Sequence, residues 1–570
     1  MKKNLLLIGC IFAGLSLNAQ GEQEPWPGAY QYQVSKSAEA RNGAVVSAHP
    51  LASQVGLFIL KKGGNAFDAA IATQLALAVV YPAAGNLGGG GFLVATQPNG
   101  NKIAIDYREM APSGASRDMY LNEKGEAQTD KSQDGHLSCG VPGTVAGLFE
   151  TYKHAKLPFS ELIEPAIRLA EYGYVISEGQ ARSFNFLQEE LKKYNTVMPV
   201  FVRSQKWKGG DTLVQKELAS TLRRIQDNGL SGFYEGETAR LITDEMKRGN
   251  GIISMDDLKS YKAKTRRVYQ FKYHDQEVVT MPLPSSGGIL IHQMLNMMEG
   301  RNLRSMGFHS AEAVQLMTEV EKRAFADRGE YLGDADHYPV PVRMLTNDIY
   351  LQEKMKNYKP GYATPSSEIK PGVLLRSEST ETTHLNVIDN EGNAVAVTTT
   401  LNNSYGSRTV VAGAGFFLND EMDDFSIKPG QANMYGAVGG KANAIAPGKR
   451  MLSSMTPTIV LKNGKPFIIT GTPGGTTIPT SVFQTLVNLI EFDLSPDQAI
   501  NAPKFHHQWL PDELQLEKGF PEEIRKKLEA MGYKIRTTGS IGRTELIMAL
   551  PGGGYTIVAD HRGEDDARGY

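Results

Sequence analysis

The sequence predicts a layered α/β protein in which helices cover stacked β-strands. The run Ala66–Val80 is apolar on nearly every face, which is typical of a buried helix. Apolar runs flank Asn-Gly turns at Asn99-Gly100 and Asn463-Gly464, which is the pattern of β-hairpins. With 570 residues and 41% hydrophobic content, the chain can bury a large core.

The first two helices are delimited by glycine, asparagine and proline. We expect a helix over residues 51–62, because Gly63-Gly64 follows it directly. Asn65 can cap the second helix, Ala66–Val80, and Pro82 stops it.

A hairpin is predicted after the glycine-rich segment Gly85–Gly91. Its strands are expected at residues 92–96 and 103–107, with the turn at Asn99-Gly100 between them. Arg108 stands at the end of the second strand.

From about residue 151 to residue 356 the pattern is mostly helical. The predicted helices lie at residues 160–172, 216–228, 237–248 and 310–328. The following residues, 359–381, are irregular and contain Pro and Ser, so they form the best boundary in the chain.

Beyond Thr382 the sequence changes to strand-like segments. Residues 382–389 and 394–400 carry alternating apolar side chains on either side of a turn at Asn390–Asn393. Further strands are predicted at residues 458–461, 467–470, 545–550 and 555–559, and a further helix at residues 479–491.

The net charge and the first residues of the chain indicate which partners and which location to expect. The net charge is -2, and no basic cluster contains interleaved aromatics, so nucleic acid is not an expected partner. Lys2-Lys3, the apolar residues 5–17 and Ala19 resemble a signal peptide over residues 1–19. A lipoprotein interpretation of Cys10 would need a very short apolar stretch. Because no later segment reaches 18 apolar residues, we expect an exported, periplasmic or secreted protein without a membrane span.

Cysteine and histidine give no sign of a metal or redox site. Removal of residues 1–19 leaves Cys139 as the single cysteine, which we expect to be a small buried residue. No histidine lies three or four residues from another, so only a long-range assembly could bind a transition metal. We expect neither metal nor cofactor.

Thr382 is the strongest candidate for catalysis. A threonine within a chain is a weak nucleophile. If the chain were cut before Thr382, the new α-amine, with an unperturbed pKa of roughly 7.7–8.0, could act as general base for its own hydroxyl.

A glycine-rich turn is the second candidate for catalysis. Gly471–Thr477 follows a predicted strand and precedes a predicted helix. Such a turn can aim consecutive backbone N–H groups at a developing oxyanion. The alternative is an ordinary strand-to-helix connection.

Seven short segments, taken together and in this order, resemble γ-glutamyltranspeptidases over about residues 38–570. They are Gly85–Phe92, Asp106–Pro112, Thr382–His384, Thr398–Asn402, Met422–Phe425, Leu452–Met455 and Pro473–Gly475. The resemblance implies the N-terminal nucleophile hydrolase fold, a four-layer αββα sandwich with two β-sheets between helical layers.

The resemblance also implies an inactive precursor that cuts itself between Glu381 and Thr382. The large subunit would be residues 20–381 and the small subunit residues 382–570, held together as a heterodimer by shared sheets. The implied reaction takes the γ-glutamyl group of glutathione or a related γ-glutamyl amide. It passes that group to water, an amino acid or a peptide, without a cofactor.

The resemblance assigns the catalytic roles to four residues. Thr382 would be the nucleophile, and Thr400 the threonine that hydrogen-bonds it and assists self-cleavage. Gly474 and Gly475 would form the oxyanion hole. His384, beside the nucleophile, is interpreted as structural because the α-amine already serves as base.

The resemblance implies that a second set of residues binds an amino-acid head group. Arg108 would bind the α-carboxylate, since its planar fork pairs with both oxygens, supported by Ser453 and Ser454. The α-ammonium would be held by Asn402, Glu421 and Asp424. Tyr435 would belong to a lid loop over residues 424–441 that excludes water.

Two other functions remain open at the level of sequence. An acylase for β-lactam side chains would share the role of Thr382 but would not need the α-amino-acid pocket. A non-catalytic exported binding protein on the same scaffold would not cut itself, and an intact-mass measurement would find one uncut chain.

Overall fold

The computed structural model describes residues 33–369, 382–428 and 440–570. Two seven-stranded antiparallel sheets lie face to face, with helices covering the outer face of each. This arrangement confirms the predicted αββα sandwich. The predicted signal peptide, Glu381 and Tyr435 lie outside the described residues.

Sheet I carries the predicted hairpin around Asn463-Gly464 at its centre. Its strands, in spatial order, are Ser37–Ala40, Tyr555–Ala559, Glu545–Ala549, Lys465–Gly471, Thr458–Lys462, Gln276–Thr280 and Tyr269–Tyr273.

Sheet II carries Thr382 as the first residue of its third strand. Its strands, in spatial order, are Asp566–Gly569, Ala44–Ser47, Thr382–Ile388, Ala394–Thr400, Gly90–Thr96, Lys102–Asp106 and Lys264–Arg266. All seven residues of the Thr382 strand are buried, as expected for a strand covered on both faces.

The helices divide into two layers. The layer on sheet II contains Pro50–Lys61, Ala66–Val80, Thr144–Tyr152, Phe159–Tyr172, Glu178–Tyr194, Lys216–Asn228, Ser231–Tyr234, Gly236–Gly249 and Met255–Ser260. The layer on sheet I contains Gly287–Met298, Leu303–Met306, Ala311–Tyr331, Asp348–Lys354, Thr477–Ile490, Pro496–Asn501 and Glu522–Ala530.

The remaining α-helices and strands are short and peripheral. They are the helices Thr129–Gln133 and Val342–Leu345, the paired strands Tyr174–Val175 and Thr212–Leu213, and a small sheet of Phe505–His506, Leu514–Glu517 and Ile535–Thr538. Within the described residues, no helix is long and apolar enough to cross a membrane.

Apolar side chains from facing strands fill the space between the two sheets. Val46, Phe92 and Ala396 of sheet II pack with Ile459 and Ile547 of sheet I, and all five are fully or almost fully buried. Burial of this kind is the dominant favourable contribution to folding, at roughly 25 cal/mol per Å² of apolar surface.

The buried helix Ala66–Val80 begins and ends where the sequence predicts. Asn65 accepts hydrogen bonds from the N–H groups of Phe67 and Asp68, and the Asp68 carboxylate accepts one from the Asn65 N–H at 2.8 Å. Every residue of the helix is buried, which explains why its apolar residues show no single face.

The structure contains strands that the sequence pattern did not reveal. Lys264–Arg266, Tyr269–Tyr273 and Gln276–Thr280 lie within the region predicted as mostly helical, and they join both sheets. The four-residue strands Ser37–Ala40, Ala44–Ser47 and Asp566–Gly569 were also missed. Their pairing partners lie far away in sequence, so no local pattern marks them.

We expect Leu75→Ala to lower the free energy of unfolding by about 2–5 kcal/mol, because Leu75 is fully buried and the change leaves a cavity. Leu230→Ala, at a leucine that is 42% exposed, is the matched control and should change it by less than about 0.5 kcal/mol. Urea unfolding followed by circular dichroism measures both. Equal losses would contradict the assignment of this helix to the core.

Candidate active site

Two neighbouring strands of sheet II bring Thr382 and Thr400 together. The antiparallel register pairs the first residue of one strand directly with the last residue of the other. Both side chains are buried, and the Thr400 Oγ1 accepts a hydrogen bond from the Asn402 N–H at 2.8 Å. The Thr400 hydroxyl is thereby fixed beside the predicted nucleophile.

A glycine turn connects sheet I to the helix Thr477–Ile490. Gly474 and Gly475 have φ angles of +136° and +56°, in the region that favours glycine. The carbonyl oxygen of Gly474 accepts hydrogen bonds from the Thr477 N–H at 3.0 Å and from its Oγ1 at 2.7 Å. The Gly475 carbonyl accepts one from the Ile478 N–H at 3.0 Å. Both carbonyls are therefore turned into the first turn of the helix.

One small cavity of about 20 Å³ brings most of the predicted residues together. It is lined by Arg108, Thr382, Thr400, Asn402, Glu421, Asp424, Ser453, Ser454, Met455, Gly475 and Ile478. Of the predicted site residues, only Gly474 and Tyr435 are not in this lining: Gly474 adjoins Gly475, and Tyr435 is outside the described residues.

Arg108 forms the electrostatic centre of this cavity. Its side chain is 1% exposed, and its two terminal nitrogens donate to Glu421 Oε1 and Asp424 Oδ2. The backbone carbonyls of Met451 and Leu452 accept from its Nε and Nη2 at 3.3 Å each. Burial acts to lower the pKa of Arg108, but the two carboxylates outweigh it and raise the pKa above its ordinary value.

The pKa values of the carboxyl groups around Arg108 depend on burial and on the positive charge of Arg108. Burial raises the pKa of Glu421 well above its ordinary value, although Arg108 opposes the rise. Burial likewise raises the pKa of Glu109 to about 7, again against the effect of Arg108. Glu109 Oε2 lies 3.5 Å from Arg108 Nη1. Burial thus favours the neutral form of both carboxyl groups, and the charge of Arg108 opposes that effect.

Asn402 is held in a left-handed conformation that asparagine tolerates, with φ of +76°. Its Nδ2 donates to the backbone carbonyl of Asp420 at 3.0 Å. The Asp420 carboxyl accepts a hydrogen bond from the Asn403 N–H at 2.9 Å, and burial raises its pKa to about 8. These contacts fix the loop after Thr400 against the segment that carries Glu421.

Ser453 and Ser454 are attached to a neighbouring turn and to a buried arginine. The Ser453 carbonyl accepts hydrogen bonds from the Ser286 N–H at 2.7 Å and from its Oγ at 2.8 Å. Arg328, also buried, donates from Nη2 to Ser454 Oγ at 3.0 Å and from Nε to Ser286 Oγ at 3.1 Å. Arg328 therefore orients the Ser454 hydroxyl without lining the cavity itself.

Asn443 links the two loops that face Arg108. Its Nδ2 donates to the Asp424 carbonyl at 2.7 Å, and its Oδ1 accepts from the Leu452 N–H at 3.0 Å. Since Ser453 follows Leu452 directly, this single buried amide sets the spacing between the carboxylate and the hydroxyl sides of the site.

His384 is buried below the glycine turn and does not line the Thr382 cavity. Its Nδ1 is 2.8 Å from Thr398 Oγ1 and its Nε2 is 2.9 Å from Asn386 Oδ1. Burial lowers its pKa to about 3, so the ring is neutral at physiological pH. The contacts agree with the structural role expected for His384.

Cys139 is a buried free thiol, and burial raises its pKa to about 12, so it does not provide a reactive thiolate. Among the described residues, no group of three or more His, Cys, Asp or Glu side chains is arranged to hold a metal ion.

Three contributors were not assigned by sequence reasoning: Glu109, Arg328 and Asn443. Glu109 lies in a segment that carried the resemblance, so its adjacency to Arg108 was an available signal. Arg328 and Asn443 act through hydrogen bonds to residues 126 and 9 positions away, and no local motif marks such contacts.

Comparison with known proteins agrees with this geometry. A family model described as Gamma-glutamyltranspeptidase matches residues 52–570. The glutathione hydrolase proenzyme of Escherichia coli (strain K12) is 45% identical over 564 residues, covering 98% of this chain and 97% of that protein.

Two solved structures are similar in fold. Cephalosporin acylase from Bacillus halodurans has a TM-score of 0.82 at 26% identity, covering 96% of this chain and 98% of that chain. The gamma-glutamyltranspeptidase of Helicobacter pylori has a TM-score of 0.56 at 42% identity, covering 60% of this chain and 97% of that chain.

We expect Asn443→Ala to lower the free energy of unfolding by about 2–4 kcal/mol, because it leaves the buried Asp424 carbonyl and Leu452 N–H without their shared partner. Asn228→Ala, at an exposed asparagine that donates to a helix carbonyl, should cost less than about 1 kcal/mol. Chemical denaturation compares the two. A loss at Asn443 no larger than the loss at Asn228 would show that the bridge does not hold the loops.

Proposed function

The chain belongs to the gamma-glutamyltranspeptidase family, and we propose that its Thr382 hydroxyl takes the γ-glutamyl group from glutathione and related γ-glutamyl amides. It is a γ-glutamyltransferase and glutathione hydrolase that acts through an N-terminal nucleophile. The proposed residue roles rest on one observation: Arg108 pairs with two carboxylates inside the cavity that Thr382 lines.

The charges in this cavity suit the head group of a free amino acid. An α-carboxylate can accept from the hydroxyls of Ser453 and Ser454, and from the Arg108 fork once it replaces one of the partners that now occupy the five N–H groups of Arg108. An α-ammonium can donate to Glu421 and Asp424, which otherwise share the single positive charge of Arg108. A zwitterion adds one charge of each sign, so it binds without changing the net charge of the site, and each of its two charges meets a group of opposite sign.

Acylation follows from the positions of Thr382 and the glycine turn. After scission, the Thr382 α-amine removes the proton from Oγ1, which attacks the γ-carbonyl carbon. The N–H groups of Gly474 and Gly475 are proposed to stabilise the oxyanion. In support, the Gly474 carbonyl is turned into the helix, and the Gly475 N–H of the same trans peptide points the opposite way. The amide C–N bond then breaks, and the amine leaves with the proton that the α-amine held.

Deacylation repeats these steps with a different nucleophile. Water attacks the γ-glutamyl ester and releases glutamate, or the amine of an amino acid or peptide attacks and receives the γ-glutamyl group. The C–Oγ1 bond breaks and the proton returns to Thr382. The balance between hydrolysis and transfer depends on how acceptors are held beside the turn.

Self-cleavage before Thr382 would yield subunits of residues 20–381 and 382–570. In support, Thr382 begins a strand that is paired along its whole length with Ala394–Thr400, so the new terminus would stay in place. The Helicobacter pylori chain covers 60% of this chain with 97% of its own length, which is close to the share of the sequence before Thr382. Export of the mature protein rests on residues 1–19 and stays a prediction.

The similarity to cephalosporin acylase makes an acylase the second candidate. Such an enzyme would use the same nucleophile on an acyl group without an α-ammonium. Against it, Glu421 and Asp424 are buried carboxyl groups that an uncharged acyl chain would leave without a second cation. A substrate pair that differs only in the α-amine therefore separates the two functions.

We expect Thr382→Ala to give a folded, full-length chain without turnover of a γ-glutamyl anilide, because the change removes both the attacking oxygen of self-cleavage and the catalytic nucleophile. Intact-mass measurement and N-terminal sequencing of the smaller fragment check this, and in the unchanged protein that fragment should begin at Thr382.

Thr383→Ala is the matched control for this experiment. Thr383 is the next residue of the strand, and within the described residues its buried Oγ1 has no hydrogen-bond partner. This variant should still cut and turn over substrate. Normal splitting of the Thr382→Ala chain with retained turnover would refute Thr382 as nucleophile.

We expect Arg108→Lys to raise the KM for a γ-glutamyl anilide by roughly 100-fold, because an ammonium cannot span Glu421, Asp424 and a substrate carboxylate as the fork does. Arg117→Lys, at an exposed arginine, should leave the KM unchanged. Steady-state kinetics measures both.

The same unmodified enzyme should turn over the γ-glutamyl anilide at least about 100-fold faster than the glutaryl anilide, which lacks only the α-ammonium, because loss of a charged partner leaves buried carboxylates unpaired. Equal kcat/KM for the two anilides would favour the acylase.

A further inference from the structure

Two chain segments lie side by side at the Thr382 cavity, and each contains one buried arginine. Residues 106–111, which we call the Arg108 segment, follow a strand of sheet II. Residues 448–454, which we call the Ser453 segment, contain Arg450 and both serines of the site. Met110 and Arg450 form an antiparallel bridge between the two segments. The groups proposed to bind the α-carboxylate of the substrate are therefore divided between two neighbouring segments.

The two arginines cross between these segments in opposite directions. From the Arg108 segment, Arg108 donates to the carbonyls of Met451 and Leu452 at 3.3 Å each. From the Ser453 segment, Arg450 Nη1 donates to the Asp106 carbonyl at 3.0 Å and to the Asp106 carboxylate. Each segment is therefore held by the arginine of the other.

The Asp106 carboxylate connects Arg450 to the backbone of Arg108. Its Oδ1 accepts a hydrogen bond from the Arg108 N–H at 3.0 Å. Its Oδ2 pairs with Arg450 and also with Arg266 Nε, at 2.6 Å from the latter. Burial acts to lower the pKa of Arg450, but Asp106 outweighs it and raises the pKa above its ordinary value. Arg450 therefore keeps its charge in this buried position.

Arg450 is also fixed from other sides. Its Nη2 donates to the Lys262 carbonyl at 2.8 Å, and its backbone N–H donates to Asp334 Oδ2 at 3.0 Å. Its guanidinium carbon lies 5.7 Å from the centre of the Tyr261 ring, and the Tyr261 hydroxyl donates to the Arg108 carbonyl at 2.7 Å. The side chain of Arg450 thus has one defined position, from which it contacts the Arg108 segment directly and through Tyr261.

We propose that Asp106 and Arg450 are positioning residues for the α-carboxylate of the substrate. This inference rests on the proposed function. Neither residue lines the cavity of Thr382. Together they fix the distance between the Arg108 guanidinium and the Ser453 hydroxyl, so that one carboxylate can accept hydrogen bonds from both. A substrate without that carboxylate gains nothing from this spacing.

The effect of losing this spacing can be estimated from hydrogen-bond geometry. Charge-assisted hydrogen bonds to a carboxylate need about 2.7–2.9 Å between nitrogen and oxygen. A shift of one segment by about 1 Å therefore loses the bonds on one side of the carboxylate, which is worth a factor of about ten in affinity. Arg266 still pairs with Asp106 when Arg450 is replaced, so the buried carboxylate keeps a cation.

The test compares the γ-glutamyl anilide with the 4-aminobutyryl anilide, which lacks only the α-carboxylate. In processed Arg450→Gln enzyme, kcat/KM for the γ-glutamyl anilide should fall about tenfold, mainly through a higher KM. For the 4-aminobutyryl anilide, kcat/KM should stay within about twofold. Arg450→Lys should recover part of the loss, because an ammonium can pair with Asp106 but cannot also reach the Lys262 carbonyl as the fork does.

Asp106→Asn changes the same contact from the other segment and keeps the size of the side chain. It should reduce the preference for the γ-glutamyl anilide in the same direction, so it tests the proposal even where Arg450→Gln lowers the yield of folded enzyme.

Arg323→Gln is the matched control for a buried arginine. The Arg323 side chain is also 1% exposed, pairs with Glu319 at 2.6 Å and donates to the Lys354 carbonyl at 2.8 Å, but it does not line the Thr382 cavity. This variant should leave the ratio of the two kcat/KM values unchanged.

A purely structural role would give a different result. Loss of folded enzyme lowers kcat for both anilides by the same factor and leaves both KM values unchanged. That result in Arg450→Gln and Asp106→Asn, or an unchanged preference in both variants, would overturn the proposal. If turnover of the 4-aminobutyryl anilide is too slow to measure, the division between KM and kcat for the γ-glutamyl anilide decides.

The unmodified enzyme separates this inference from the proposed function. It should prefer the γ-glutamyl anilide by at least about 100-fold in kcat/KM, because loss of the carboxylate leaves a buried arginine without its ligand. Equal values for the two anilides would remove the carboxylate site and with it the proposed function. If the unmodified enzyme shows the preference and the variants retain it, only the positioning roles of Asp106 and Arg450 are refuted.

Discussion

The pairing of the Thr382 strand within sheet II is the constraint on which the active site depends. The strand lies between Ala44–Ser47 and Ala394–Thr400, and its ladder with the latter begins at Thr382 itself. Scission before Thr382 therefore leaves every described pairing of this strand in place. It also leaves segments from both sides of the cut interleaved, since Gln276–Thr280 pairs with Thr458–Lys462 in sheet I. Association of the two subunits thus needs no separate interface.

Much of the fold could be predicted wherever a local signal determines an element. The helix Ala66–Val80 was predicted with its observed bounds, because Asn65 and the residues before Pro82 fix its ends. The strand Lys264–Arg266 was missed, since its exposed polar residues show no strand pattern. Ala44–Ser47 was missed because four residues carry little signal, and its neighbours Thr382–Ile388 and Asp566–Gly569 are hundreds of residues away. Pairing at that distance is a property of the assembled sheets.

The site could be predicted by residue type but not by contact. The resemblance named Arg108, Glu421 and Asp424 as binding residues, and the structure brings all three into one cavity. It could not show that Arg108 pairs with both acids, which lie 313 and 316 positions away in the sequence. Nor could it show that the same arginine affects the pKa of Glu109. Positive φ at Gly474 and Gly475 explains why two glycines stand there. The direction in which the peptide groups of this turn face became clear only from the hydrogen bonds of the two glycine carbonyls.

The buried ion pairs of Arg108 are better explained by the proposed substrate binding than by stability. Desolvation of an arginine and two carboxyl groups costs several kcal/mol, and apolar side chains of similar size often replace buried pairs without loss of stability. Here the charges are also held in place by Asn443, whose amide connects the Asp424 loop to Leu452. A protein that needed only a stable core would gain nothing from such an arrangement. A fixed cation that faces two fixed acidic groups is useful for binding a ligand that brings one positive and one negative charge.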